Sequence, residues 1–290
     1  MAKKILIYIH GVGGQSKTKF DKDVDKLKDR ILDEDESLKN EVIFQGVYYH
    51  DLLQSRQEDY FDKIEKKVDK DSIREQILYK VGDAFAHENK SHLQDSKYQQ
   101  IQHKVYEGIK EAYKTAGDEN AEVVILAHSL GAQIISSYIW DAQKKNAGDN
   151  VSGGVFKFQY NNIDGIENDQ QTLRKLKSFI TIGCNIPIFV SSQDSVQSIY
   201  SNNEQLLSEN KNNLGYDFNW VNMYEADDIL GWPLQTLGDY YNKDLFGASY
   251  TDAVKDIKVD TSESLFFAHT GYKKDSDVIE KIVEELRKPV

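Results

Sequence analysis

A serine hydroxyl becomes a nucleophile when a tight turn lifts it clear of the backbone and a base stands within hydrogen-bond reach. The stretch Val123-Val124-Ile125-Leu126-Ala127-His128-Ser129-Leu130-Gly131-Ala132-Gln133-Ile134-Ile135 has the local pattern for such a turn. Its β-branched and aliphatic run reads as a strand buried on both faces. The run stops at the polar pair His128-Ser129, and a helical stripe of Ile134, Ile135, Tyr138 and Ile139 follows. Strand, serine at the apex, then helix is the setting of the G-x-S-x-G nucleophile elbow. The helix amino terminus beneath the serine favours developing negative charge. Strand and helix pass close together there, which calls for small residues on both sides. Gly131 supplies one, and Ala127, the next smallest side chain, stands where the motif has its first glycine. The plainer reading is a serine that caps a buried helix. The chemical reading requires a base, an acid and an oxyanion hole elsewhere in the chain.

A second chemical stretch lies near the amino terminus. Ile5-Leu6-Ile7-Tyr8-Ile9 is a buried strand that runs into His10-Gly11-Val12-Gly13-Gly14. Glycines after a strand let backbone N–H groups point at an anion, and two anions compete for the role. One is the oxyanion of acyl transfer. The other is a phosphate, because Gly11 to Thr18 is one residue short of G-x-x-x-x-G-K-[ST], with Ser16 where the second glycine belongs. That alternative would use Lys17 and Thr18 to bind a nucleotide. It also wants a strand ending in aspartate for magnesium, and no clear one appears.

His10-Gly11-Val12-Gly13-Gly14 resembles the oxyanion loop of lipases, and Ala127-His128-Ser129-Leu130-Gly131 resembles the alanine variant of the elbow in compact bacterial lipases. The chain thus looks like a member of the α/β-hydrolase superfamily. The resemblance implies backbone donors at Val12 and Leu130, with His10, Gly11, Gly13, His128 and Gly131 shaping the site. It also directs attention to Glu225-Ala226-Asp227-Asp228-Ile229-Leu230-Gly231-Trp232-Pro233-Leu234, similar to a D-P-V-x-x-P-L segment of lipase-like hydrolases. Matching Leu230, Pro233 and Leu234 selects Asp228 as the acid, with Asp227 a competitor and a plain acidic turn the bland alternative. Phe266-Phe267-Ala268-His269-Thr270-Gly271-Tyr272 resembles the H-S-x-Y close of such enzymes, which makes His269 the base. The order Ser129, Asp228, His269 is the Ser…Asp…His order of the superfamily. The implied activity is hydrolysis of a carboxylic ester, on a small molecule or a lipid, without metal or cofactor. A hydrolase-fold ligand receptor without turnover would carry the same residues, so it stays open beside the nucleotide reading.

These residues need a sheet to hold them. Strands are expected at Ile5–Ile9, Glu41–Tyr49, Val123–Ala127, Ser178–Gly183, Asn219–Tyr224 and Asp256–Asp260, with a helix over Tyr98–Tyr113 and a last one through Val278 to Leu286. The expectation is one α/β domain over residues 1–290, a mostly parallel sheet of about six strands with helices on both faces. Residues 52–97, 146–171 and 191–218 fall outside the resemblance. The first block is helical in spacing and could form a lid. Lys144 to Gln171, rich in Asn, Gly and Asp, reads as a surface loop or insertion. The third is polar and placed to wall the substrate site. Cys184, just past the fourth strand, could approach the pocket, although an inert buried thiol is commoner.

Bulk composition narrows the partners. The chain has 290 residues, 39% of them hydrophobic and 11% aromatic, enough for a sizeable core. A formal charge of −12, from 48 acidic and 36 basic residues, disfavours nucleic acid or an anionic membrane surface. A lone cysteine forms no internal disulfide, which fits a reducing compartment. The apolar run after Lys3-Lys4 is too short for a signal peptide and is broken by His10-Gly11. The chain is therefore expected to be soluble and cytoplasmic. His87, His92 and His103 have spacings that match no metal pattern.

Overall fold

A computed structural model describes residues 3–11, 16–52, 95–147, 150–151, 153–158, 168–191, 199, 219–240, 254–261 and 268–288. The apolar runs become strands β1 (Lys4–Ile9), β2 (Val42–Val47), β3 (Glu122–His128), β4 (Leu176–Ile182), β5 (Asn219–Glu225) and β6 (Lys255–Val259). They form one sheet in the order β2-β1-β3-β4-β5-β6, every neighbouring pair parallel. Parallel neighbours require a crossover between them, and helices supply it on both faces. This is the α/β architecture that the strand and helix pattern of the sequence implies.

Side chains of each strand alternate between two cores. Ile5, Ile7, Ile9, Val123, Ile125 and Ala127 face helices α2 (Lys97–Ala116) and α3 (Leu130–Ala147). Leu6, Tyr8, Val124, Leu126, Ile180, Ile182, Val221 and Met223 face α1 (Lys17–Glu34) and a carboxyl-terminal helix, Ser276–Arg287. Every residue of β3 is buried. At about 1.5–3 kcal/mol for each large aliphatic fully buried, this central strand is a main source of the fold's stability.

Helix α3, directly after β3, departs from the amphipathic stripe. Gln133 and Ser136 are buried as well as Ile134, Ile135, Tyr138 and Ile139, so its first three turns are enclosed on nearly all sides. Part of the cover comes from the segment expected to be a surface loop. Val151, Val155 and Phe156 are buried in the core that α3 shares, the last two on a short helix α4 (Gly154–Phe158), and Phe156 packs 5.1 Å from the Tyr138 ring. The expectation of a surface loop or insertion over Lys144 to Gln171 is corrected at these residues: Val151, Val155 and Phe156 belong to the core and not to the surface, while 159–167 lie outside the described residues. Residues 53–94, and nearly all of 192–218, lie outside the described residues, and with them the expected lid and pocket wall.

Helix α5 (Asn168–Gln171) lies just before β4, and α6 (Ile186–Val190) just after it. Helix α7 (Gln235–Tyr240) follows β5, while α8 (Ala268–Gly271) and α9 (Ser276–Arg287) follow β6. Among the described residues, no helix is long and apolar enough to cross a membrane.

Candidate active site

The carboxyl ends of β3, β5 and β6 converge on one edge of the sheet, the edge where open α/β folds bind ligands. Ser129 follows β3 directly. Its N–H still bonds the Ile182 carbonyl of β4 at 3.1 Å, as a continuation of the ladder, while its carbonyl already accepts the Ala132 N–H of α3. One residue thus ends a strand and starts a helix. Its φ of 55° lies in the left-handed region, which costs an L-residue about 1–2 kcal/mol. Strained backbone of this kind presents the hydroxyl at the apex of the turn.

Small neighbours are obligatory at this turn. A Cβ on Gly131 would lie 2.5 Å from the Ile9 carbonyl oxygen and 2.6 Å from that of His10. Both are backbone atoms, so they cannot swing aside. A Cβ on Gly11 would lie 2.6 Å from Ser129 Cβ. The glycine-rich loop therefore begins in contact with the serine. Ala127 fits the first small position and is fully buried.

His269 lies on α8, one helical turn between β6 and α9 rather than an irregular loop. Ser129 Oγ donates to its Nε2 at 2.8 Å. Its Nδ1–H is shared between the two carboxylate oxygens of Asp228, at 3.0 and 2.9 Å. Those two bonds fix one tautomer, protonated on Nδ1 and bare on Nε2. Asp228 is the buried member of the acidic pair and Asp227 is exposed. Burial raises the Asp228 pKa, but donors from His269, Leu230 N–H and Tyr272 outweigh it and hold the carboxyl below its ordinary value.

The remaining expected residues stand around these three. His128 donates Nε2–H to the His269 carbonyl at 2.7 Å, and its ring centroid is 4.9 Å from that of His269. His10 is buried, stacked at 4.3 Å on Tyr49, and donates Nδ1–H to the Gly11 carbonyl. Burial lowers its pKa to about 3, so the ring is neutral and serves to brace the start of the glycine loop. Leu130 is the first residue of α3, where the N–H has no intrahelical acceptor. Val12 and Gly13 lie outside the described residues. Cys184 is fully buried, and burial pushes its thiol up to about 12, as befits an inert packing residue. Lys17 and Thr18 are exposed on the first turn of α1, where Lys17 pairs with Asp21 and Ser16 caps the helix through the Lys19 N–H.

The loop that carries Asp228 is tied down on both sides. Trp232 N–H donates to the Cys184 carbonyl at 2.9 Å, and Asn222 Nδ2 donates to the Trp232 carbonyl at 3.0 Å. Asp256 of β6 accepts the N–H groups of Leu234 and Gln235 at the start of α7. Tyr272 closes the H-S-x-Y resemblance, which gave it no role. Tyr272 Oη donates to Asp228 Oδ2 at 2.9 Å and accepts the Glu225 N–H at 2.8 Å. Its place three residues after His269, on consecutive helical turns, is the signal that could have found it. Among the described residues, no group of three or more His, Cys, Asp or Glu is arranged to hold a metal ion.

No family model matches the sequence, and no curated protein matches it. Solved structures similar to it include an iodinated complex of acetyl xylan esterase, 10% identical, covering 99% of this chain and 98% of that one with a TM-score of 0.41. A Pyrobaculum calidifontis esterase is 9% identical over 98% of this chain and 76% of its own, with a TM-score of 0.44.

Proposed function

We propose that the protein is a serine hydrolase that cleaves carboxylic esters, of small molecules or lipids, by way of an acyl-enzyme. The observation that carries the reading is the unbroken chain of hydrogen bonds from Ser129 Oγ through His269 to Asp228, with all three residues buried at the sheet's carboxyl edge.

Ser129 Oγ attacks the ester carbonyl while His269 Nε2 takes its proton. Asp228 holds the imidazole in the tautomer that can accept that proton and supports the cation that results. Collapse of the tetrahedral intermediate breaks the bond to the alcohol, which leaves with the proton from Nε2, and Ser129 keeps the acyl group. Water then attacks the acyl-enzyme with His269 again as base, releasing the acid and restoring the hydroxyl. The Leu130 N–H, at the amino terminus of α3, is the donor available to the oxyanion, and Val12 is the second donor in this reading. Each such donor contributes roughly 3–4 kcal/mol to the transition state.

A fluorophosphonate probe followed by turnover of acyl esters of graded chain length tests the reading. Labelling at Ser129 with turnover supports it, and the length profile names the acyl class. Labelling without turnover of any ester points to a ligand receptor, and no labelling of folded protein overturns the nucleophile itself.

A further inference from the structure

The Asp228 side chain has no solvent exposure, so its lone pairs depend on protein donors. Leu230 N–H donates to Oδ1 at 2.9 Å, and His269 Nδ1–H lies between both oxygens. Tyr272 supplies the remaining donor to Oδ2, and its own oxygen is held by the Glu225 N–H. An accepted bond polarises a hydroxyl and strengthens the one it donates. Glu225 closes β5, and its carboxylate accepts the Thr261 N–H at 2.8 Å, just beyond β6. The relay is therefore anchored in two strand ends.

Space for it is cut by two glycines on different loops. Gly183 has φ 55°, and a Cβ there would lie 3.0 Å from the Tyr272 ring, 3.1 Å from His269 Nδ1 and 3.2 Å from Asp228 Oδ2. A Cβ on Gly231 would lie 2.3 Å from Oδ2 and 2.8 Å from the Tyr272 hydroxyl oxygen. Ring and carboxylate meet only because both positions lack a side chain.

We propose that Tyr272 is a positioning residue of this site, acting through Asp228 to fix the carboxylate plane and to set how much negative charge faces His269. The proposal rests on the hydrolase reading of the same three residues. The groups that face His269 are Asp228, Ser129, the His128 ring and Tyr272. Those that face Asp228 are His269 and Tyr272, with Glu225 acting on Tyr272 at one remove. A donor on Oδ2 draws charge away from the oxygens that support the imidazolium. Removing it leaves a stronger counter-ion and makes His269 harder to deprotonate.

The test compares the wild type, Tyr272→Phe and a protein with 3-fluorotyrosine at position 272 alone, each carrying histidine labelled with 13C at Cε1. The titration midpoint of His269 is read by NMR, with His269→Asn identifying the resonance. Tyr272→Phe should raise the midpoint, and the more acidic fluorophenol, a stronger donor, should lower it. Should the phenylalanine variant fail to fold, the nearly isosteric fluorotyrosine decides alone. A midpoint unmoved by fluorotyrosine overturns the proposal. No substrate is needed, so a failure to label Ser129 or to turn over an ester counts against the hydrolase reading and not against this one.

Discussion

His128 donates its Nε2–H to the backbone carbonyl of His269 at 2.7 Å, so the residue before Ser129 holds the peptide of the histidine that Ser129 bonds. His128 closes β3 in the middle of the sheet and His269 follows the edge strand β6, 141 residues later in the chain. This bond joins them.

His128→Phe keeps a ring but removes the donor, leaving a buried carbonyl without it. The cost should be about 1–3 kcal/mol in urea unfolding. A base displaced by a fraction of an ångström should slow fluorophosphonate labelling of Ser129 by about tenfold to a hundredfold. His128→Gln, whose amide can donate toward the same carbonyl, should recover part of both. Labelling at the wild-type rate in the phenylalanine variant would separate His128 from the chemistry.

Ser129→Ala and Ser129→Gly both remove the hydroxyl and its bond to His269. Ester hydrolysis should fall by roughly 10⁴- to 10⁶-fold in either, the scale for losing a nucleophile. They differ in what they do to a backbone held at φ 55°. Alanine keeps the strain and glycine relieves about 1–2 kcal/mol of it, offset by its greater freedom when unfolded. Ser129→Gly should therefore unfold at higher denaturant than Ser129→Ala, the reverse of the usual order in an ordinary helix or strand. The usual order would mean that the elbow is unstrained in solution.

The central strands were legible because buried parallel strands are nearly continuous apolar runs, and Val123–Ala127 is as plain an instance as the chain offers. The elbow was legible from Ser129 outward for the same reason: a strand that stops at a polar pair and restarts as a helix leaves few other geometries. Choosing between Asp227 and Asp228 needed a matched pattern, since two adjacent aspartates differ only in which way the turn points them. The Tyr272 relay was hidden because its partners, the Glu225 N–H and Asp228 Oδ2, depend on the register of β5 against the turn after β6. The burial of Val151, Val155 and Phe156 was hidden by composition, their neighbours being mostly polar.

Two buried groups give stability opposite dependences on pH. His10, with its pKa lowered to about 3, binds fewer protons folded than unfolded between there and about 6.5, so stability is lost as pH falls through that window. Asp141, raised to about 6 by burial despite the Tyr98 hydroxyl, binds more protons folded than unfolded, so stability is lost as pH rises from about 4 to 6. The two slopes oppose each other over the shared range. His10→Gln, which can keep a donor and an acceptor, should gain on the wild type as pH falls from 6.5 to 4. Asp141→Asn should gain as pH rises from 4 to 6. Urea midpoints across that range check both. Parallel curves for either variant would mean that the group titrates alike in folded and unfolded chains.

Asp228→Asn tests the acid without changing its shape. An amide at this position can still meet His269 Nδ1–H through its oxygen, but with its NH₂ turned inward it selects the other tautomer, and in neither case does it carry charge. Loss of the counter-ion leaves the imidazolium unsupported, which costs roughly 10⁴-fold in kcat in the known serine-protease case. Stability should also change with a definite sign. The wild-type carboxyl is held below its ordinary pKa, so the stability it contributes is present above the carboxylate range and is lost as pH falls through its folded value. The amide variant lacks that dependence, and its urea midpoint should approach the wild type's as the solution is acidified. Asp227 is exposed, and its N–H bond to the Glu225 carboxylate at 3.4 Å uses no side-chain atom of its own. Asp227→Asn should therefore cost tenfold or less. Equal activity in the two asparagine variants would mean that the hydrogen bonds on His269 Nδ1 orient the ring without supporting its charge, and the assignment of Asp228 as the acid would fall.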